Sequence, residues 1–597
     1  MRNSLLLMAV AVAALVIALQ TTSPRGSRAA ADLILVGGAI YTVEADRPRA
    51  EAVAVRDGRI LAVGDDGEVA RYRGPGTAVV DLDGAFVVPG FIDCHTHFDN
   101  AGALLLGINL LDVADAELLA ERVVAARDRL PEGAWILGGD WGAYEEWEMG
   151  STGRGEGAAS AERFKPSREM IDPLTPETPV LLSRWDGSEY LANGVALELA
   201  GITRATPDPD GGTIERDPTT GEPTGILSGS AVGLVRRVIP AKSFEQRVLE
   251  ARVALARLAE NGVTGIHDIT RDYQMRVFQY LRDRGELTVR VYARPTLDHW
   301  DDLAALGIGE GFGDEFLKVG GLKGFVDGIM GNSGARFREP YDHQPDNRGI
   351  WRQHVLQPPG MAELIRAADS LGMDPHVHAI GDLAVDTLLD WFEMAIEANG
   401  PRDRRFRLIH AQVVEEDDFE RFGELGIIAE VQPYHAIDDM RWMEERIGHE
   451  RCKGAYAFKS LQEAGALLAF SSDWPGTNAA WYPAKPLLGI YAAVTRQTLD
   501  GEPEGGWFPE QRIDVETAIR AFTINNAYAA GEDDVKGSIK AGKLADFTVL
   551  DRDLLEIEPP EIKDVRVLGT IVGGRVMFAD PELPGLVRLL DEAAHVR

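Results

Sequence analysis

The run "GFIDCHTH" (90–97) closes on His95-Thr96-His97. Residues i and i+2 of a strand face one side, so both imidazoles can share one metal ion. A lone pair of this kind is a weak signal, and the Pro89-Gly90 lead-in with its apolar strand strengthens it. Lys323 lies inside "GGLKGFVDG", and a lysine in an apolar strand is costly unless paired or modified. It either snorkels or pairs with Asp327, or it is N-carboxylated, its carbamate oxygens then bridging two metal ions. His376, His378 and His410 follow on the next two apolar runs, and histidine is the commonest side-chain metal ligand at neutral pH. Successive strands that supply Lys, His and His are hard to attribute to chance. His376 and His378 face the same side, so periodicity does not choose between them. Asp473 follows the apolar run of "FSSDWPGTN". A carboxylate there can bind a metal and accept a proton from metal-bound water, or it can cap the next turn.

Eight short apolar runs ending in polar or Gly residues carry these groups: 90–97, 263–269, 289–294, 322–328, 374–381, 406–412, 427–433 and 467–475. Helical stretches with 3–4 spacing, such as "MAELIRAADSLG" and "LAVDTLLDWFEMAIEANG", separate most of them. Eight units of this kind imply an α/β fold, a (β/α)₈ TIM barrel, with its chemistry at the C-terminal strand ends. About 165 residues separate the first two runs, far beyond an ordinary connection. That span reads as an inserted subdomain over the catalytic face, with "GSTGRGEGAAS" as a mobile loop. Short Val/Ile/Leu runs broken by Gly and Asp-Gly turns fill 32–88 and return in 532–597. The two segments are expected to form one small β-sandwich, with 89–99 as the first barrel strand, 100–262 as insert and return, and 263–531 as strands two to eight.

A chain of 597 residues is too long for one ordinary core. Its net charge of −34 repels phosphate backbones and anionic lipid heads, which argues against a nucleic-acid partner. Two cysteines, Cys94 and Cys452, exclude a disulfide framework and a cysteine-rich zinc module. Arg2, an apolar run from Leu5 to Leu19, Pro24 and Ala29-Ala30-Ala31 form a secretory-signal pattern over 1–31, with cleavage expected just before Asp32. The expectation is an exported protein with no stable membrane association, or a membrane-anchored one if the signal stays uncleaved. The expected partner is a small-molecule substrate. The oligomeric state stays open, a homodimer included.

Taken together, these residues resemble the amidohydrolase superfamily. The resemblance implies metal ligands His95, His97, Lys323, His378, His410 and Asp473, and the "HAIGD" context selects His378 over His376. A closer resemblance, covering nearly the whole chain after the signal, is to the YtcJ-like branch that includes N-substituted formamide deformylases. It rests on "GLKGFVDG", "VHAIGDLAVD", "VQPYHAIDDMRW", "SSDWP", "KPLLGIYAAVTRQTLDG", "GWFPEQRI" and "GSIKAGKLADFTVLDRD". Two positions depart from that branch: Ser188 stands where it usually has His, and Gly229 where it tends to be acidic. The resemblance implies two divalent ions, Zn²⁺ by donor softness, bridged by carboxylated Lys323, with a single ion as the alternative. It implies hydrolysis of an amide-type C–N bond by metal-bound hydroxide, with Asp473 as the catalytic proton carrier. His435, Asp327, Trp474 and Ser188 are the residues expected around the substrate, Asp327 more as support than as catalyst. Ester, lactone or cyclic-imide hydrolysis on the same site, or a binding protein that keeps the fold, are the competing readings.

Overall fold

A computed structural model describes residues 30–131, 133–142, 164–184, 187–271, 273–476 and 483–595. The apolar N-terminal run and the Gly/Ser-rich stretch lie outside them. Each of the eight apolar runs holds a strand: β1 (Phe91–Thr96), β2 (Val263–Ile269), β3 (Arg290–Arg294), β4 (Leu322–Phe325), β5 (Pro375–Ala379), β6 (Arg407–His410), β7 (Ile428–Val431) and β8 (Leu468–Phe470). They form two parallel arcs. One runs β1-β2-β3 and ends on a short strand, Leu317–Val319; the other runs β4-β5-β6-β7-β8. Single parallel bridges join the arcs at both seams, Thr96 to Trp474 and Thr296 to Lys323.

The helices explain why these strands are apolar on both sides. Asp382–Asn399 turns Val385, Leu388, Leu389, Phe392 and Ala395 inward at helical spacing, and Met361–Ser370 buries Met361, Leu364, Ile365 and Ala368. Strands covered by helices outside and filled by side chains inside have no solvated face. All the strands but β2, which fills its run, are shorter than the runs that contain them. The polar residues at the run ends fall just beyond the ladder, where the backbone turns and side chains can be aimed.

The two ends of the chain meet in one sheet. Its strands run Arg575–Ala579, Val567–Val572, Phe547–Leu550, Phe86–Pro89, Ala39–Tyr41 and Arg49–Ala50. Phe547–Leu550 pairs antiparallel with Phe86–Pro89, three residues of which precede the Pro89-Gly90 entry to β1. A second, four-stranded sheet comes wholly from 33–81. Leu35, Val53, Val55 and Val80 of that sheet share a buried core with Val87, Phe547, Val549 and Ile571 of the first. Ala31 is tied into this region, its N–H donating to the Tyr72 carbonyl at 2.8 Å. Cleavage just before Asp32 would remove that contact.

The span between β1 and β2 carries its own five-stranded sheet, ordered Gly212–Arg216, Pro223–Gly229, Glu189–Ala192, Val180–Arg184, Ile136–Trp141. Separate apolar clusters cover its faces, one around Leu119, Val123, Leu182 and Trp141, the other around Leu181, Leu197, Leu227 and Val235. Gly229 has φ +55, and a Cβ there would meet the Gly211 carbonyl oxygen at 2.1 Å. An acidic residue is therefore incompatible with this turn as built. Among the described residues no helix is long and apolar enough to cross a membrane.

Candidate metal centre

Three donors converge where β1 ends. His95 Nε2 and His97 Nε2 lie 3.3 and 3.1 Å from the same atom, Asp473 Oδ1. His95 is the last residue but one of β1, while His97 begins the next helix, so the pair meets through a bend and not through simple strand alternation. Asp473 stands three residues past β8 with φ +58. This left-handed backbone costs roughly 1–3 kcal/mol for a residue other than Gly, and surrounding contacts must hold it. Two backbone bonds do so: Asp473 N–H donates to the His95 carbonyl at 3.0 Å and His97 N–H to the Trp474 carbonyl at 2.7 Å. The carboxylate is thereby wedged between the two imidazoles.

A second group of donors shares Asp473. One ligand atom each of His410, His435 and Asp473 falls within 4.8 Å of the others, as it does for His95, His97 and Asp473. His410 also has left-handed backbone, φ +80, at the last position of β6. Its ring lies 5.2 Å from that of His95 and 4.6 Å from that of His378. Burial pushes His95 and His410 well below the ordinary histidine range, and takes His378 to about 3 and His435 to about 4. All four rings are therefore neutral at pH 7 and can offer lone pairs.

Lys323 is 1% exposed, and its Nζ has no hydrogen-bond partner among the described residues. The amine sits 4.7 Å from the Phe325 ring centre, and that ring is 5.7 Å from His378. Burial, with the Arg294 guanidinium nearby, holds Lys323 well below the usual lysine range. A buried neutral amine without a partner is the form that can take up CO₂. His95 Nε2 and Asp473 Oδ1 likewise lack a well-formed hydrogen bond although they approach each other. Buried polar atoms that converge without partners are a costly arrangement in an empty protein interior. A cation removes that cost, so this donor set fits a divalent metal.

Deeper in the interior, charge is paired. Glu430 Oε1 accepts from His95 Nδ1 at 2.6 Å and from Arg294 Nη1 at 2.8 Å, and its Oε2 accepts from Arg407 Nη1 at 2.9 Å. Burial raises Glu430, but the two guanidiniums outweigh it and hold the carboxyl at about 2. Arg407 also meets His267 Nδ1 at 2.9 Å. Nearer the mouth, Gln432 Oε1 lies 2.8 Å from His410 Nδ1. Asp93 accepts from the His95 N–H at 3.1 Å and from Ser472 N–H at 3.0 Å, and Asp268 from Phe98 N–H at 2.8 Å. Glu430, Arg294 and Arg407 each sit in an apolar run, the same signal that singled out Lys323, and reading them the same way would have found them.

Three more of the residues expected around a substrate, Trp474, Asp327 and Ser188, have different surroundings. Trp474 is 1% exposed and packs in the apolar cluster of Phe98, Val263 and Phe278, because the chain leaves β8 across the barrel seam. Asp327 is fully buried. Its carboxylate takes N–H bonds from Arg336, Ile380 and Gly381 at 2.8, 3.1 and 3.0 Å and lies 3.2 Å from His378 Nε2, so it braces the loop after β4 and the end of β5. Ser188 is exposed at the turn between two strands of the inserted sheet. His410 groups with His435 around Asp473, while His378, its ring 4.6 Å from that of His410, has Nε2 3.2 Å from an Asp327 oxygen. His376 is a deeper neighbour of Arg407 by register, its ring stacked 6.1 Å from Tyr292, and it does not reach the mouth. Cys94 and Cys452 are both free and buried.

Known proteins resemble the chain over most of its length. The chain is 37% identical to the protein LONG AFTER FAR-RED 3 of Arabidopsis thaliana over 92% of each chain. It is 31% identical to the amidohydrolase YtcJ of Bacillus subtilis, over 91% of this chain and 98% of that one. It is 28% identical to the N-substituted formamide deformylase of Arthrobacter pascens, over 92% and 98%. Among solved structures, an uncharacterized metal-dependent hydrolase from Pyrococcus horikoshii superposes with a TM-score of 0.70 at 28% identity, covering 88% of this chain and 99% of that one. A family model for amidohydrolases matches residues 78–578, and the chain belongs to the amidohydrolase family.

Proposed function

We propose that the protein is a metal-dependent hydrolase of an amide-type C–N bond in a small N-substituted amide or formamide. The observation that carries this reading is the convergence of His95 Nε2 and His97 Nε2 on Asp473 Oδ1, with His410 and His435 on the same carboxylate. The substrate class is drawn from the N-substituted formamide deformylase likeness. His95, His97 and Asp473 would hold one ion. His410 and His378 would hold a second, and carboxylated Lys323 would be a further anionic ligand. Zn²⁺ suits the imidazole and carboxylate donors. Bound there, a divalent cation supplies Lewis acidity for the scissile carbonyl and makes water a nucleophile at neutral pH.

The chain's own residues do the rest. Asp473, wedged between two neutral imidazoles, takes the proton released by the attacking water and delivers it to the leaving nitrogen. His435, which burial keeps neutral, is placed to orient the substrate carbonyl. The inserted sheet and its turn at Ser188 choose among substrates without touching the metal. The eight strands close as a barrel through the two seam bridges, with the paired terminal sheets as a sandwich beside it. Residues 1–31 act as an export signal.

The test is metal analysis of purified protein together with turnover of matched amide, formamide, ester, lactone and cyclic-imide panels. Release of amine or formate by protein with at least one divalent ion per chain is the expected result. Turnover confined to esters or lactones would replace the bond assigned, and metal-loaded protein inert on every panel would favour a binding role.

A further inference from the structure

Two of the imidazoles at the centre are held from behind by one strand. Glu430 closes on His95 Nδ1 at 2.6 Å and Gln432 on His410 Nδ1 at 2.8 Å. The two are i and i+2: Glu430 lies in β7 and Gln432 is the first residue past it, still in extended backbone, so both side chains project to the same side. Glu430 can only accept, and Gln432 turns the accepting end of its amide to His410. Glu430 is bound by Arg294 and Arg407 and has no proton to give. Gln432 is oriented by its own amide, whose Nε2 donates to Ser471 Oγ at 2.9 Å, while that hydroxyl faces the Val431 carbonyl at 3.5 Å. The oxygen is therefore what meets His410. An acceptor at Nδ1 places the ring proton there and leaves Nε2 bare.

We infer that β7 is a tautomer-setting strand, in which Glu430 and Gln432 act as positioning residues that fix the Nδ1–H form of His95 and His410. It supplies neither donor itself, yet it decides which nitrogen of each ring is open to a cation. The inference rests on the metal reading above only for its effect on affinity. The tautomers themselves can be measured without metal.

Two measurements test it. Neutron diffraction from metal-free protein should place deuterium on Nδ1 of both rings and none on Nε2. Titration with Co²⁺ alone, followed by its visible absorption, should show binding about 10–100-fold weaker in Glu430→Gln and in Gln432→Leu, with circular dichroism showing both variants folded. Glu430→Gln leaves two buried guanidiniums short of charge. If it does not fold, Gln432→Leu and the neutron map decide. Deuterium on Nε2 of either ring, or a folded Gln432→Leu that binds Co²⁺ like the parent, overturns the inference. A parent protein that takes up no Co²⁺ would overturn the metal reading instead, and the neutron map would still judge the tautomers.

Discussion

The donor group at the strand ends and the layer beneath it are built from the same residue types under opposite rules. Below, Glu430 is surrounded by Arg294, Arg407 and the far side of His95, and nearly all its acceptor capacity is used. Above, Lys323 Nζ, His95 Nε2 and Asp473 Oδ1 are just as buried and lack proper partners. The lower layer has the form of a finished ion cluster, whose worth is mostly the penalty of disturbing it. The upper layer is stable only at a cost, and that cost is what a bound cation would remove. His95 belongs to both, with one nitrogen in each.

The strongest way to break this comparison is at Asp473, which serves both donor groups. Asp473→Asn should lower kcat by roughly 10²–10⁴-fold and empty at least one ion from metal analysis, while leaving the thermal midpoint of the metal-free protein unchanged. A variant with full metal content would remove Asp473 from the ligand set. Next comes Lys323. Lys323→Met should lose at least one metal and nearly all turnover, yet metal-free protein should hold or gain stability, since an unpartnered buried donor costs about 1–3 kcal/mol. Acetate or propionate should partly restore metal and activity to Lys323→Ala. Full activity without the lysine would leave a single-ion site on the histidines and Asp473.

The lower layer should answer in the other way. Arg407→Met leaves Glu430 pinned by Arg294 alone and should destabilise the protein by about 3–5 kcal/mol in urea unfolding, while metal content at low temperature stays intact. Loss of metal without loss of stability would erase the distinction between the layers. The smallest effect is expected outside both, at Asp140 of the inserted sheet, whose carboxylate has a Ser183 hydroxyl at 2.5 Å. Burial raises it from 3.8 to about 7, so between those values the folded chain keeps a proton that the unfolded chain has released. Its contribution is complete below about pH 4 and is lost as pH rises through about 7. Asp140→Asn should flatten that part of the stability profile, by up to a few kcal/mol. Urea midpoints at pH 5 and pH 8 that shift equally with and without the substitution would show that the group is not responsible.

The family was legible in the sequence because its signature is local, a few side chains at strand ends within quotable motifs. So were the strand positions, since a parallel strand buried on both sides is a short apolar run with sharp ends. What stayed hidden was depth. Periodicity says which side of a strand a residue faces but not how far along the barrel axis it sits, so His376 and His378 looked equivalent although one lies beside Arg407 and the other beside His410. Spacing is equally silent on what Asp327 and Trp474 meet. They stand two and four residues past their strands, where the chain turns back into protein: Asp327 into three backbone N–H groups, Trp474 into an apolar seam. The grouping of His435 with His410 depends on a helix start at Pro433, two residues after β7, which no spacing rule encodes.

The pairing of Phe547–Leu550 with Phe86–Pro89 also bears on the order in which this protein can be made. The strand that feeds His95 into place has its neighbour some 460 residues later in the chain. During synthesis the early strand leaves the ribosome with one edge open, and nothing made in the next several hundred residues closes that edge. A nascent chain halted before residue 547 should therefore be open to protease around 86–97, and one halted after residue 579 should resist, so that the protein acquires its centre only as its last strands emerge.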